Sequence, residues 1–360
     1  MQMITISLCM IVKNEERILA RCLDSVKDLV DEIILVDTGS TDRTKAAAAE
    51  YAAKIYDFPW CDDFSAARNF AVSQAVGDYW MWLDADDVIE GENHEKLRRI
   101  LEHPDADVVF LPYWLSFDES GAPQMVSQRE RIFRRSGGYQ FTGAVHEAVV
   151  PHGRLRYGDA AVSHRKLRPG DPDRNLHIYQ QKLRRGESFS PREQYYYARE
   201  LCDHGAYRAA LPVLERFLEE GSGWAPDCIG ACLLCAGCYR RLGHPDTARE
   251  RLFRSFRYGI PQPEVCCEIG SIFLEKGQYQ TAAFWYHLAM ETGHQPHQGF
   301  RQQACCDYLP AIQLCVCYDR MGDISTAAAY NELAGSFRHG DKAVAYNRQY
   351  FAEKMGKTGG

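Results

Sequence analysis

From Ile4 to Pro112 the chain alternates short apolar runs with segments of helical texture, and this alternation restricts what it can fold into. Residues 5–12, 32–37, 54–58, 78–84 and 106–112 read as strands. Residues 16–27, 41–53, 64–75 and 94–102 read as helices. Strands separated by helices imply βαβ units, hence an α/β, Rossmann-like, mostly parallel sheet covered on its faces. Ligands of such sheets bind in the crevice at the carboxyl ends of the strands, so the segments leaving each strand are where chemistry is expected.

Four of those segments carry polar groups suited to a shared site. Gly77-Asp-Tyr-Trp-Met-Trp-Leu-Asp84-Ala85-Asp86-Asp87 brings several carboxylates to the end of an apolar run. Acidic groups this close repel one another unless a cation lies among them, and hard cations such as Mn²⁺ or Mg²⁺ take carboxylate and phosphate oxygens together. An ordinary acidic surface turn is the competing reading. In Val36-Asp37-Thr38-Gly39-Ser40-Thr41-Asp42 a carboxylate ends a strand, glycine permits a tight turn, and Ser40 or Thr41 is placed to cap the next helix. Val12-Lys13-Asn14-Glu15 leaves the first strand. Asp63-Phe-Ser-Ala-Ala-Arg68-Asn69 opens a helix, and the planar fork of Arg68 suits phosphate or carboxylate; a structural ion pair is the alternative.

The net charge of −7 and a pI near 6.0 give no basic footprint, which argues against nucleic acid as the principal partner. No window approaches 18 consecutive apolar residues, so no transmembrane segment is expected. The N-terminal segment lacks a basic stretch and a small-residue cleavage site and reads as a buried first strand, from which a reducing, cytoplasmic setting follows. Of the 14 cysteines, Cys9, Cys22 and Cys61 precede the remainder, which begin at Cys202. Cys232, Cys235 and Cys238 follow helical spacing, so core packing is the expected role; a zinc site drawing on Cys305, Cys306, Cys315 and Cys317 is the alternative.

After the polar stretch 168–174 the texture becomes helical and self-similar. Gly205, Gly243, Gly277 and Gly322 each follow a helical run and precede an alanine-rich one, and they are separated by 38, 34 and 45 residues. That is close to the roughly 34-residue period of tetratricopeptide helix pairs. Two domains are therefore expected, 1–167 and an all-α repeat domain over 168–360. Stacked helix pairs of this kind leave an extended surface for a peptide or protein, or for a second copy of the chain in a homodimer.

Taken in order, the motifs ending in Glu15, Asp42, Asn69 and Asp86 resemble those of the inverting family 2 glycosyltransferases of GT-A fold. The resemblance covers about residues 4–165. The chain is similar in particular to bacterial members with tetratricopeptide repeats behind the catalytic domain, among them the peptide S-glycosyltransferases of glycosylated bacteriocin pathways. It departs from many relatives in having Lys13 where they have tyrosine, so aromatic stacking on a base is not carried over at that position. The resemblance implies a nucleotide diphosphate sugar as donor, UDP-sugar foremost, and Mn²⁺ or Mg²⁺ as cofactor. It implies that Asn14 and Glu15 border the nucleotide, that Asp37 holds its base or ribose, and that Arg68 lies beside the diphosphate. Asp84 and Asp86 would work with the metal, Asp86 by direct contact, and His164 would complete its coordination.

Inverting transfer also needs a base that takes the acceptor's proton. The run Phe141-Thr-Gly-Ala-Val-His146-Glu147-Ala-Val-Val150 offers Glu147 and His146. If the run is a strand, neighbours face opposite sides and only one of the two reaches the substrate; Glu147 is preferred. The acceptor, a peptide or protein side chain or else a glycan or lipid, is left open. Rival classes are a nucleotidyltransferase, which would need a glycine-rich basic loop where Lys13-Asn14-Glu15-Glu16 stands, and a non-catalytic scaffold with a decayed enzyme domain.

Overall fold

The computed structural model describes residues 4–118, 121–167, 170–295 and 299–357. The very N-terminus, residues 119 and 120 and part of the polar stretch 168–174 fall outside these residues. Contacts between Cα atoms divide the chain at 193/194 into two compact units, so the helix Arg174–Arg184 belongs to the first, beyond the composition change at 167/168.

The first unit is built on β1 (Ile6–Val12), β2 (Glu32–Asp37), β3 (Lys54–Asp57), β4 (Tyr79–Trp82), β5 (Asp87–Val88), β6 (Val108–Phe117) and β7 (Pro123–Arg134). Shorter pieces follow: β8 (Phe141–Thr142), β9 (Ala148–Val149), β10 (Leu155–Tyr157) and β11 (Val162–His164). Its helices are α1 (Leu19–Asp24), α2 (Thr44–Ala49), α3 (Phe64–Ser73), α4 (Glu92–Glu102) and α5 (Arg174–Arg184). The main sheet runs β3-β2-β1-β4-β7-β6-β11-β5, with β10 beside β6. Strands β3, β2, β1 and β4 are parallel, and β7 enters antiparallel between β4 and β6.

Along β1, Leu8, Met10 and Val12 join one apolar cluster and Cys9 the opposite one, and all four are buried. A strand covered on both faces reads as a continuous apolar run, which is why 5–12 lacked polar alternation. The parallel register sets Val12 beside Asp37 and Cys9 beside Trp82, so β1, β2 and β4 deliver their following loops to one edge.

Two helices are shorter than their sequence texture. The first is reduced to Leu19–Asp24, flanked by turns such as Ser25 N to Cys22 O at 3.1 Å. The second starts at Thr44, where Asp42 Oδ1 accepts from Thr44 N at 3.0 Å, so Asp42 takes the place expected of Ser40 or Thr41. The third starts as expected, its Asp63 carboxylate accepting from Ala66 N at 3.0 Å.

The second unit consists of helix hairpins: α6 (Pro191–Asp203) and α7 (Tyr207–Glu220), α8 (Ala225–Arg241) and α9 (Pro245–Arg254), α10 (Pro263–Glu275) and α11 (Tyr279–Gly293), α12 (Tyr308–Met321) and α13 (Ile324–Phe337), with α14 (Lys342–Lys357) last. All four turn glycines have left-handed φ, between 71° and 86°. In each case the next residue donates to the carbonyl five positions back: Ala206 to Leu201, His244 to Tyr239, Gln278 to Phe273 and Asp323 to Tyr318. This is the helix-terminating pattern that glycine permits at no steric cost, repeated once per hairpin. Most cysteines of this unit are buried, and no group of three or more metal-ligating side chains occurs here among the described residues. Cys266, Cys267, Cys305, Cys315 and Cys317 pack in its apolar clusters. No helix among the described residues is long and apolar enough to cross a membrane.

The hairpins close at small residues. A Cβ on Gly270 of α10 would lie 2.9 Å from the ring of Tyr286 on α11, which is itself 2% exposed. Gly270→Ala is expected to cost about 1–3 kcal/mol by overpacking. Hydrogen exchange of α10 and α11 amides, faster in the variant, is the check.

Candidate active site

The loops leaving β1, β2 and β4, together with 145–147, His164, Lys166, Leu167, Gly170, Arg174 and Asn175, line an open cleft of about 620 Å³ in the first unit. Asn14 sits at φ 57° and ties two of its walls: its Oδ1 accepts from Thr41 N at 2.7 Å, and its own N donates to Ser40 Oγ at 2.9 Å. Glu15 N donates to Thr44 Oγ1 at 2.8 Å. Both residues line the cleft. Asp37 lies behind the wall rather than on it. It is 1% exposed, and its Oδ1 accepts from Gly39 N at 2.9 Å and Ser40 N at 2.7 Å, which shapes the turn. Its neighbour Thr38 reaches the lining.

Arg68 is the central cation. It is 7% exposed; Nε donates to Glu147 Oε1 at 2.5 Å and Nη2 to Asp84 Oδ1 at 2.7 Å, while Nη1 has no partner. Its guanidinium carbon lies 4.5 Å from the Trp82 ring centroid. Burial opposes the charge, but Asp84 and Glu147 outweigh burial and hold the guanidinium above its ordinary range. Burial likewise would raise the Asp84 carboxyl, but Arg68 and Arg131 bring it down to about 2. An ionised Asp84 is thus committed to Arg68, and the expected ligand role fits it less well than a positioning one.

His146 and Glu147 both line the cleft. Strand alternation does not apply to them, because the strand pairing is confined to Phe141–Thr142 and Ala148–Val149. Gly143 at φ 99° and His146 at φ 52° turn the chain between these pairs. The loop is pinned to the start of α3 by Ser65 Oγ donating to Gly143 O at 2.6 Å and Phe64 N donating to Ala144 O at 2.9 Å.

The acidic turn meets His164 through sheet register. β11 pairs antiparallel with β5, His164 opposite Asp87, and parallel with β6, Val162 opposite Tyr113. His164 Nδ1 therefore lies 3.3 Å from Asp86 Oδ1 and 3.5 Å from Asp87 Oδ1. Burial would lower the imidazole, yet the two carboxylates prevail and push it up to about 9. Asp86, Asp87 and His164 form the one group of ligating side chains among the described residues close enough to share a cation. Their side chains differ in access: 20% and 22% exposed for Asp86 and His164, none for Asp87. Asp87 is engaged by Arg131 Nη1 at 2.9 Å, Asp84 N at 3.0 Å and Tyr113 Oη at 2.9 Å. Asp86 and His164 thus fit a divalent cation by donor type and access, and Asp87 stands behind them.

Arg131 and Tyr113 carry no sequence motif. Arg131 ends the polar run Gln128-Arg-Glu-Arg131 and looks no different there from its neighbours, and Tyr113 continues a strand that was expected to end at Pro112.

Residues 7–158 match the family model described as glycosyl transferase family 2. A TPR repeat-containing protein of Synechococcus elongatus is 45% identical over 148 residues, covering 41% of this chain and 36% of that protein. The SPbeta prophage-derived glycosyltransferase SunS of Bacillus subtilis is 31% identical over 218 residues, 55% of this chain and 49% of that one. The chain thus spans half or less of the length of these two relatives. Among solved structures, a glucosyl-3-phosphoglycerate synthase of Mycobacterium tuberculosis in complex with Mn²⁺ and UDP-glucose aligns with TM-score 0.35 and 18% identity, over 52% of this chain and 81% of that one. Sheet order, ordered motifs and family match coincide over one stretch: residues 7–158 form a mixed-sheet, GT-A-like domain that matches family 2 glycosyl transferases, and tetratricopeptide-like helix hairpins follow it.

Proposed function

We propose that the chain is a metal-dependent, inverting glycosyltransferase acting in the cytoplasm on a nucleotide diphosphate sugar, UDP-sugar foremost. The observation that carries this is that Asp86 and His164 lie together on an open cleft that is also lined by the buried cation Arg68. A divalent cation, Mn²⁺ or Mg²⁺, held by Asp86 and His164 would neutralise charge on the departing diphosphate. The charge of Arg68 acts on the same phosphates from the cleft wall, while Asp84 and Glu147 fix its orientation. Asn14 and Glu15 shape the nucleotide end, and Asp37 acts there through the turn that presents Thr38.

Glu147 takes the proton from the acceptor hydroxyl or thiol as that atom attacks the anomeric carbon opposite the diphosphate; His146, on the same loop, orients the acceptor. Glu147→Gln is expected to lower turnover about 10²–10⁴-fold. Donor affinity in that variant, read by calorimetry, should stay within a few-fold. A His146→Gln variant that loses the larger share of turnover would exchange the two roles. The acceptor is a peptide or protein side chain, engaged by the helix hairpins, which also suit a homodimer contact.

The decisive experiment incubates the full chain with UDP-, GDP- and dTDP-sugars with and without Mn²⁺, measures nucleotide release, and follows candidate peptides by mass spectrometry. Metal-dependent release from one donor supports the reading. No binding of any nucleotide sugar with metal present would overturn it.

A further inference from the structure

Asp87 has the sequence position of a third ligand, yet its oxygens are fully engaged. Oδ2 accepts from Arg131 Nη1 at 2.9 Å and from Asp84 N at 3.0 Å, and Oδ1 accepts from the Tyr113 hydroxyl at 2.9 Å. Both Asp87 and Arg131 have no exposed side-chain surface. Tyr113 is 8% exposed and stacks beside the Arg131 guanidinium, 4.5 Å from its ring centroid. This part of the site is a buried base on which something else is held.

What it holds is His164. Tyr113 Oη lies 2.9 Å from His164 Nδ1. A hydroxyl has one proton, and with that proton given to Asp87 Oδ1, the oxygen offers Nδ1 only lone pairs. Asp86 Oδ1 at 3.3 Å and Asp87 Oδ1 at 3.5 Å face the same nitrogen, and a carboxylate too can only accept. Three acceptors around Nδ1 require a proton on it. Nε2, by contrast, has no hydrogen-bond partner among the described residues, so in the neutral ring it retains its lone pair. The double pairing of β11, to Asp87 of β5 and to β6 beside Tyr113, makes this arrangement a consequence of backbone register.

Resting on the function proposed above, we infer that Tyr113 is a positioning residue for the metal: supported by Asp87 and Arg131, it holds His164 with Nδ1 protonated and Nε2 as the ligating atom. Histidine ligands are commonly oriented by a carboxylate or carbonyl on the other ring nitrogen. Here a tyrosine hydroxyl is interposed between the imidazole and the carboxylate, and Asp87 supports the ligand without being one.

The test uses the full chain and reads metal binding directly. Free Mn²⁺ is titrated by electron paramagnetic resonance in the presence of UDP, for the wild type and for Tyr113→Phe, which removes only the hydroxyl. The variant is expected to bind Mn²⁺ about 10-fold more weakly or worse, with its metal-free affinity for UDP unchanged. Long-range ¹H–¹⁵N NMR of the wild type loaded with Mg²⁺ and UDP, the signal assigned by its loss in His164→Gln, is expected to show the proton on Nδ1. The NMR result decides the matter even if the variant is unstable. Equal Mn²⁺ affinities, or a proton on Nε2, would overturn the inference and leave the glycosyltransferase reading standing. A wild-type chain that binds no Mn²⁺ with UDP would overturn both.

Discussion

Asp86→Asn is expected to reduce metal-dependent turnover of the nucleotide sugar by on the order of 10³-fold. The three carboxylates of the turn are not equivalent. Asp84 is committed to Arg68 at 2.7 Å, and Asp87 to Arg131 at 2.9 Å. Asp86 has no lysine or arginine ion pair among the described residues; its one ion-pair partner there is His164. It is therefore the carboxylate whose negative charge is left for an added cation. Asparagine keeps the volume and one oxygen but removes that charge, so the fold should be retained. Nucleotide release at saturating Mn²⁺, with circular dichroism to confirm folding, is the measurement. Activity within ten-fold of wild type would remove Asp86 from the centre of the site.

The largest expected loss of stability belongs to Arg131→Met. The Arg131–Asp87 pair is fully buried on both sides, and removing the arginine leaves Asp87 as an uncompensated interior charge beside Asp84 N and Tyr113 Oη. Breaking such a pair costs about 3–5 kcal/mol. The loss is greater than that of an exposed pair such as Lys27–Asp24, whose side chains are 53% and 54% exposed and whose attraction is screened by water. Urea unfolding of the full chain, resolved by hydrogen exchange at β4 and β7 amides, reads the effect where it arises. The double variant Arg131→Met with Asp87→Asn should regain part of the loss, because the orphaned charge is gone. A single-variant loss below about 1 kcal/mol would mean that the pair is not a structural foundation.

These expectations divide along the line between local and non-local information. The succession of strands and helices in the first unit was legible because burial on both faces leaves continuous apolar runs such as that of β1. The helix hairpins were legible because each needs a residue tolerant of left-handed φ at its turn, and Gly205, Gly243, Gly277 and Gly322 supply it. Individual helix limits were less legible: α2 begins at Thr44, whose amide donates to the Asp42 carboxylate, rather than at the earlier hydroxyls of Ser40 or Thr41.

Within the cleft, sequence order alone placed Asn14, Glu15, Arg68, Asp84 and Asp86 together, since parallel strands in register send their following loops to one edge. It did not show that Asp37 stands behind the wall and Thr38 on it, because successive residues at a strand end diverge only once the turn is built. It also could not decide between His146 and Glu147 by alternation, because the loop between β8 and β9 is not a strand.

The amino-acid sequence by itself thus determined the element types, the repeated hairpins and the acidic turn, all of which depend on residues close together in the chain. The tertiary structure alone decided which partner each carboxylate meets. Arg68 reaches across 79 positions to Glu147, and Arg131 across 44 to Asp87. Whether a buried charge is a ligand or a support depends on which partner, distant in sequence, has already neutralised it.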